Sequence, residues 1–253
     1  MADQNATRDI LDIKSPFGYG EIIPLLKSHH ILPAGPQIPA AIRRSNAIPL
    51  TMAEIPRAAR DYPVIFVSGD GGRSFGVVAL LGLKDGENLF VSADGAWRSD
   101  AYQPAYLRRY PFCMATITAG GQQQEERIVC VERSMLDETG GRPQEDAAGQ
   151  PLPWWRDQLH MIQEYEADIL RTRQLCSTLQ KFRLLVPFSS QAVAKSGEVL
   201  NLGGMFRVEE SRLQNLRADD LRMLIRKGVM GRLYAHMISL DNLPRLLDLH
   251  HAC

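Results

Sequence analysis

The densest group of chemically capable side chains lies between residues 94 and 112: Asp94, Trp97, Arg98, Asp100, Tyr102, Tyr106, Arg108, Arg109 and Tyr110. Aromatic rings supply flat apolar walls, and a guanidinium forks onto a carboxylate or phosphate. Trp97, Tyr102, Arg108 and Arg109 are therefore the candidate contacts to a small anionic or aromatic ligand. The competing reading is that the rings pack a corner while the arginines tie down loop carbonyls. Arg108 and Arg109 are adjacent, so in extended backbone they point to opposite sides and one of them serves a given pocket. Pro111 favours extended geometry at Tyr110, which restrains the direction of both.

Histidine offers a second kind of chemistry. The six are His29, His30, His160, His236, His250 and His251, and none stands at H-x-D or H-E-x-x-H spacing, so the sequence implies no metal centre and no cofactor. His236 lies in the apolar run LYAHMISL, where a neutral imidazole needs a partner. It is the fifth candidate ligand contact, although a satisfied core histidine reads the same way. Cys113, Cys130, Cys176 and Cys253 are far apart and contain no C-x-x-C, the pattern of reduced thiols in a cytoplasmic protein. Cys113 and Cys130 alternate with apolar residues and read as core fillers. The glycine-rich GDGGR after VIFVS lacks the Gly-Lys-Ser/Thr of a Walker loop and precedes a strand, so it is a hairpin turn and not a phosphate cradle.

These residues need elements to hold them. Residues 1–46 are rich in proline and glycine and read as an irregular wrap with one short helix near 22–29. Thr51-Met-Ala-Glu54 matches a capping box opening a helix that runs to Tyr62 and stops at Pro63. VIFVS, FGVVALLGL, NLFVS, FCMATITA and RIVCVE then read as five strands of one antiparallel sheet between residues 64 and 132, the last two flanking the polar tip GGQQQEE. That makes residues 47–133 a β-rich half. Residues 151–253 form a helix-rich half. In it Trp155, Leu159, Ile162, Ile169, Cys176, Leu179 and Phe182 mark one long amphipathic helix over 153–183. LLVPFS and EVLNLGGMFRVE follow as strands with a Gly-Gly bend, then helices over 211–216, 219–227 (Leu221, Leu224 and Ile225 inward) and 243–249. The expected fold is α+β: one compact unit with an antiparallel sheet covered by the long helix and a helical C-terminal region.

Composition narrows the partners. The 253 residues carry 29 Lys+Arg against 29 Asp+Glu, so no concentrated basic surface points to nucleic acid. No apolar run approaches the ~20 residues of a membrane-spanning helix, and the N-terminus lacks the apolar segment of a signal peptide. The expected location is the cytoplasm.

Four blocks occurring in order, PLTMAEIPRAARDYPVIF, VALLGLKDGENLFVSADGAW, YQPAYLRRYPF and NLGGMFRVEESRL with the later AHMISLDNL, resemble the SapC family of bacterial proteins from about His30 to the C-terminus. The resemblance implies a link to surface-layer or uptake systems and assigns no catalytic residues. Members are often labelled as peptide-transport components, yet a permease needs several apolar spans of ~20 residues, and this sequence has none. The reading is a cytoplasmic SapC-like binding or accessory protein for a small anionic or aromatic ligand or a peptide. The alternative is a metal-dependent enzyme of the non-haem iron oxygenase kind, with histidine and carboxylate ligands. No polar constellation of the sort that enzyme sites carry stands out, which favours binding over catalysis.

Overall fold

A computed structural model describes residues 13–119, 122–193, 197 and 199–252. The acidic N-terminal stretch, Gly120 and Gly121 of the polar tip, Glu198 and Cys253 lie outside the described residues. The strands, in chain order, are β1 (Ile22–Pro24), β2 (Ala47–Pro49), β3 (Val64–Val67), β4 (Gly76–Leu80), β5 (Phe112–Ala119), β6 (Gln122–Glu132), β7 (Leu185–Val193) and β8 (Val199–Val208). The helices are α1 (Ala40–Arg43), α2 (Ile55–Ala58), α3 (Ala105–Arg108), α4 (Pro153–Lys181), α5 (Glu210–Gln214), α6 (Ala218–Arg226), α7 (Val229–Ser239) and α8 (Asn242–Ala252). Antiparallel sheets with a long helix and C-terminal helices make the fold α+β.

The chain divides into two compact units, Met1–Gly35 with Arg109–Gln163, and Pro36–Arg108 with Glu164–Cys253. The first contains the three-stranded sheet β1-β6-β5. Its register sets Phe112 opposite Val131 and Cys113 opposite Cys130, so the pleat sends the two pairs to opposite faces. Phe112 and Val131 pack with Ile31, Trp155 and Ile162. Cys113 and Cys130 pack with Ile22 and Ala115 as core fillers, and burial raises the Cys130 thiol to about 11. The helix expected near residues 22–29 is instead strand β1, because Ile22 and Ile23 fit as β-branched partners of Glu132 and Val131.

The second unit is built on the five-stranded antiparallel sheet β2-β4-β3-β8-β7. GDGGR is the β3–β4 hairpin connection. Asp70 holds that turn together, accepting from Ser74 Oγ, Ser74 N and Arg73 N, and bonds led by Ser74 hold its acid down at about 2. The five runs between residues 64 and 132 do not share one sheet. β5 and β6 belong to the other unit, and NLFVS gives only the isolated bridge Val91↔Trp97. β3 finds its second neighbour in β8, beyond the long helix. Alternation marks a strand without naming its partner, and the usual rule that consecutive strands pair holds for β3–β4, β5–β6 and β7–β8 but misses β3–β8.

The long helix spans Pro153–Lys181, close to its expected limits. Trp155, Ile162, Cys176 and Leu179 are buried, whereas Ile169 is half-buried and the middle of the stripe buries Asp168 and Thr172. Helix α7 was not expected: an apolar run of that length reads equally as a strand or a loop. Ile225 of α6 is 59% exposed rather than inward, leaving Leu224 as the buried anchor of that helix. Ile162→Ala should cost about 2–5 kcal/mol in urea denaturation, and Ile169→Ala clearly less, because one removes fully buried volume and the other does not.

Candidate functional site

Thr51 and Glu54 seed a buried polar knot in the second unit. Glu54 Oε2 accepts from Thr51 N at 2.9 Å and from Thr51 Oγ1 at 2.9 Å. Oε1 accepts from Ala105 N at 2.6 Å and from Tyr102 OH at 3.0 Å. Half of the expected capping box is present: the carboxylate reaches back to the Thr51 amide, but the hydroxyl donates to that carboxylate instead of capping. The helix is correspondingly short, α2 starting at Ile55 without a side-chain cap. The amides of Met52 and Ala53 go to Thr172 Oγ1 at 2.7 Å and Asp168 Oδ2 at 2.8 Å, both on α4. Asp168 and Thr172 escaped the sequence reading. Their signal was two polar residues four apart on the otherwise apolar stripe.

Trp97, Tyr102 and Arg108 are brought together at this knot. Trp97 is 9% exposed, and its indole Nε1 donates to Tyr62 OH and to Tyr102 O, each at 3.2 Å. Tyr62 OH donates to the same Tyr102 carbonyl. Phe90 stacks on Trp97 and meets Tyr62 edge-on. Burial, followed by the charge of Glu54, raises the Tyr102 phenol to about 12. Arg108 is the last residue of α3 and is exposed; it donates to Gln103 O at 3.1 Å and Tyr102 OH at 3.1 Å. The side-chain polar atoms of Trp97, Tyr102 and Arg108 hydrogen-bond within this cluster.

Arg108 and Arg109 are not in extended backbone, since α3 includes Arg108 and a turn follows it through Arg109 and Tyr110. Arg109 belongs to the other unit, where it is 4% exposed and lies over the Tyr19 ring at 5.5 Å. Its carbonyl accepts from Phe112 N at 2.8 Å.

His236 on α7 is fully buried at a different place in the second unit. Val208 N donates to its Nε2 at 3.1 Å, and its Nδ1 lies 2.7 Å from Val64 O. An amide can only donate and a carbonyl can only accept, so the imidazole is neutral with its hydrogen on Nδ1. β3 and β8 pair at Phe66↔Phe206 and Val67↔Met205, and the imidazole bridges them where the direct ladder ends. Ser239 Oγ accepts from Val64 N at 2.9 Å, one helical turn away. Phe66 lies edge-on to the imidazole with ring centroids 4.9 Å apart, so the side chains of Ile65 and Val67 point to the opposite face of the sheet.

That opposite face carries a groove of about 470 Å³. Ile65 and Val67 of β3, Leu80 of β4 and Leu200, Leu202 and Met205 of β8 line it. Leu200 and Leu202 reach it because β8 bends: Phe188 pairs with Met205 and Ser190 with Leu202, so Gly203 and Gly204 oppose Ser189 alone. Gly204 takes φ +71°, the left-handed conformation that such a bulge requires of its glycine. At the rim stand Asn46, Lys84 and Asp85. Lys84 is exposed, and Asp85 Oδ1 accepts from Asn46 Nδ2 at 3.2 Å. Sequence reasoning did not find this groove, because its floor is ordinary strand residues.

Among the described residues no three His, Cys, Asp or Glu side chains group as a metal site, and no helix is long and apolar enough to cross a membrane. The family model described as SapC matches residues 27–246. The chain belongs to the SapC family. The match covers every described strand but β1, the long helix and the C-terminal helices as far as residue 246, so this fold is that of a SapC domain. No curated protein and no solved structure is similar enough to match the chain.

The two principal polar centres give separate expectations for the SapC domain. Burial lowers His236 from its ordinary 6.5 to about 4, so the folded chain resists a proton that the unfolded chain accepts. Stability contributed by neutral His236 is complete above about pH 6.5 and is lost as pH falls toward 4, at a slope approaching about 1.4 kcal/mol per pH unit. Urea denaturation between pH 6.5 and 5 should show this slope, and His236→Leu should flatten it even if the variant is less stable throughout. In the knot, Thr51→Ala and Glu54→Ala should each destabilise, and the double variant should cost less than their sum, since both substitutions break the same hydroxyl–carboxylate bond.

Proposed function

We propose that this SapC-family chain is a binding protein whose ligand is a small amphipathic anion: an apolar or aromatic body carrying one carboxylate, sulfonate or phosphate. The observation that carries the reading is the groove on the face of the five-stranded sheet remote from α7. At about 470 Å³ it lies within the usual ~300–1,000 Å³ of small-molecule sites. Its floor side chains are aliphatic and mostly buried, Val199 offers exposed apolar surface beside them, and the exposed ammonium of Lys84 stands at the rim while the neighbouring Asp85 is engaged by Asn46. An apolar floor with a cation at its edge suits a ligand with one apolar end and one anionic end. This keeps the ligand class read from the aromatic and arginine residues and moves its site. Trp97, Tyr102 and Arg108 then act beneath the function, as the framework of the same unit. A role in surface-layer or uptake biology, which the family resemblance implies, and a cytoplasmic location, which the widely spaced cysteines suggest, are part of the proposal. The iron-enzyme alternative has no donor grouping among the described residues from which to argue.

The test is a fluorescence titration with 1-anilinonaphthalene-8-sulfonate, an aromatic sulfonate, using octanoate as competitor. Wild type should bind the dye and release it to octanoate, and Lys84→Glu should weaken dye binding about tenfold, ~1.4 kcal/mol. The uncharged N-phenyl-1-naphthylamine should lose much less on the same substitution. Dye binding that ignores Lys84→Glu would place the site elsewhere, and competition by an apolar peptide but not by octanoate would make the ligand a peptide.

A further inference from the structure

We infer that His250 and Glu87 are positioning residues for the groove, coupling the C-terminal helix α8 to ligand affinity; the inference rests on the groove being the ligand site. The wall containing Lys84 is the short turn Leu83-Lys84-Asp85, and its shape is set by Glu87. Glu87 Oε2 accepts from Leu83 N at 2.7 Å. The other oxygen, Oε1, meets His250 Nδ1 at 2.6 Å. Both side chains are largely sealed from water, at 12% exposure for His250 and 13% for Glu87. One carboxylate therefore holds the groove wall with one oxygen and α8 with the other.

The turn has little freedom apart from that link. A Cβ at position 82 would lie 2.3 Å from the Glu87 carbonyl oxygen, so Gly82 lets the two ends of the turn close on each other. On the β2 side, Leu81 N and Gly82 N donate to Asn46 O at 2.6 and 3.3 Å, and Asn46 Nδ2 donates to Asp85. Asn46 thus fixes the turn to the sheet, and Glu87 fixes it to α8. When His250 is docked, Lys84 is presented at the rim as described. When α8 lifts away, Glu87 loses one of its two partners and the Leu83 amide loses a fixed acceptor, so the position of Lys84 is no longer defined. Coupling of this kind is reciprocal: a ligand that prefers the fixed wall must also favour docked α8.

The experiment compares wild type, His250→Leu and His250→Asn by dye titration and by amide hydrogen exchange, with thermal melts to confirm that each is folded. Asparagine places an N–H donor near the position of Nδ1, whereas leucine fills space without donating. His250→Leu should weaken dye binding at least about fivefold and speed exchange at Leu83, while His250→Asn stays within about twofold of wild type in both, the range expected of a coupled site. Saturating dye should slow exchange in α8 of wild type and not of His250→Leu. If wild type binds with the Lys84 dependence described above and His250→Leu binds equally well, the coupling is wrong and the groove stands. If wild type binding does not depend on Lys84, the groove reading fails and this inference falls with it.

Discussion

A carboxylate placed where water does not reach must find its donors inside the chain, and Glu54 finds four of them on two backbone amides, a hydroxyl and a phenol. This constraint organises one unit of the SapC fold. The donors come from the turn at Thr51, from Tyr102 and from the start of α3, segments about fifty positions apart in sequence, so each must arrive for any of the others to be satisfied. Leaving a single buried donor without its acceptor costs about 1–3 kcal/mol, which makes a partly assembled knot worse than none. The same logic extends to α4, where Thr172 and Asp168 take the Met52 and Ala53 amides, which precede α2 and have no helical carbonyl to bond. The part of the long helix that belongs to this unit, from Glu164 on, is therefore held by directional bonds as well as by the burial of Leu175, Cys176 and Leu179.

A second buried polar group explains how the sheet divides its two faces. β3 and β8 pair directly at only two positions, and beyond these the ladder would leave the Val64 carbonyl and the Val208 amide without partners. His236 bridges the gap, and Ser239 takes the Val64 amide, so α7 is fixed to one face of the sheet by three polar contacts. With that face closed by α7, the other holds its apolar side chains under the bent end of β8. The groove is thus the consequence of an asymmetric sheet: one face is satisfied by a helix, and the other is roofed only in part by its own hairpin.

The sequence reveals the parts of this fold that depend on local pattern. The long helix shows at its expected place because its stripe persists for many turns, and GDGGR shows as a hairpin because its turn residues have no other use between two apolar runs. The Gly203-Gly204 bend shows for the same reason. Partners across long separations are not visible. Nothing in VIFVS says that its second neighbour is a strand some 140 positions later, and nothing in LYAHMISL separates a helix from a strand until His236 is seen to reach two strands at once. The pairing of Thr51 with Glu54 was legible, but its purpose was not, because the box spends its hydroxyl on the carboxylate and its second oxygen on residues near position 103.

The residues that attract attention in a sequence are those with reactive or directional side chains, and in this chain most of them are occupied by one another. Trp97 donates to Tyr62 and to the Tyr102 backbone, Tyr102 donates to Glu54, and Arg108 donates back to Tyr102. Each such bond satisfies a group that would be costly to bury alone, so a dense polar and aromatic cluster is what a large loop region needs in order to pack at all. A ligand would have to displace those partners before using the rings. The aliphatic residues of the groove have no polar side-chain atoms to satisfy: Ile65, Leu80, Leu200 and Leu202 are buried, Val67 is half-buried and Val199 is 52% exposed, and an apolar ligand gains by covering the last two without breaking any bond. A site of this kind is written in shape, set by a bulge at Gly204 and a turn closed at Gly82, and shape appears in a sequence only as two glycines whose neighbours are far away along the chain.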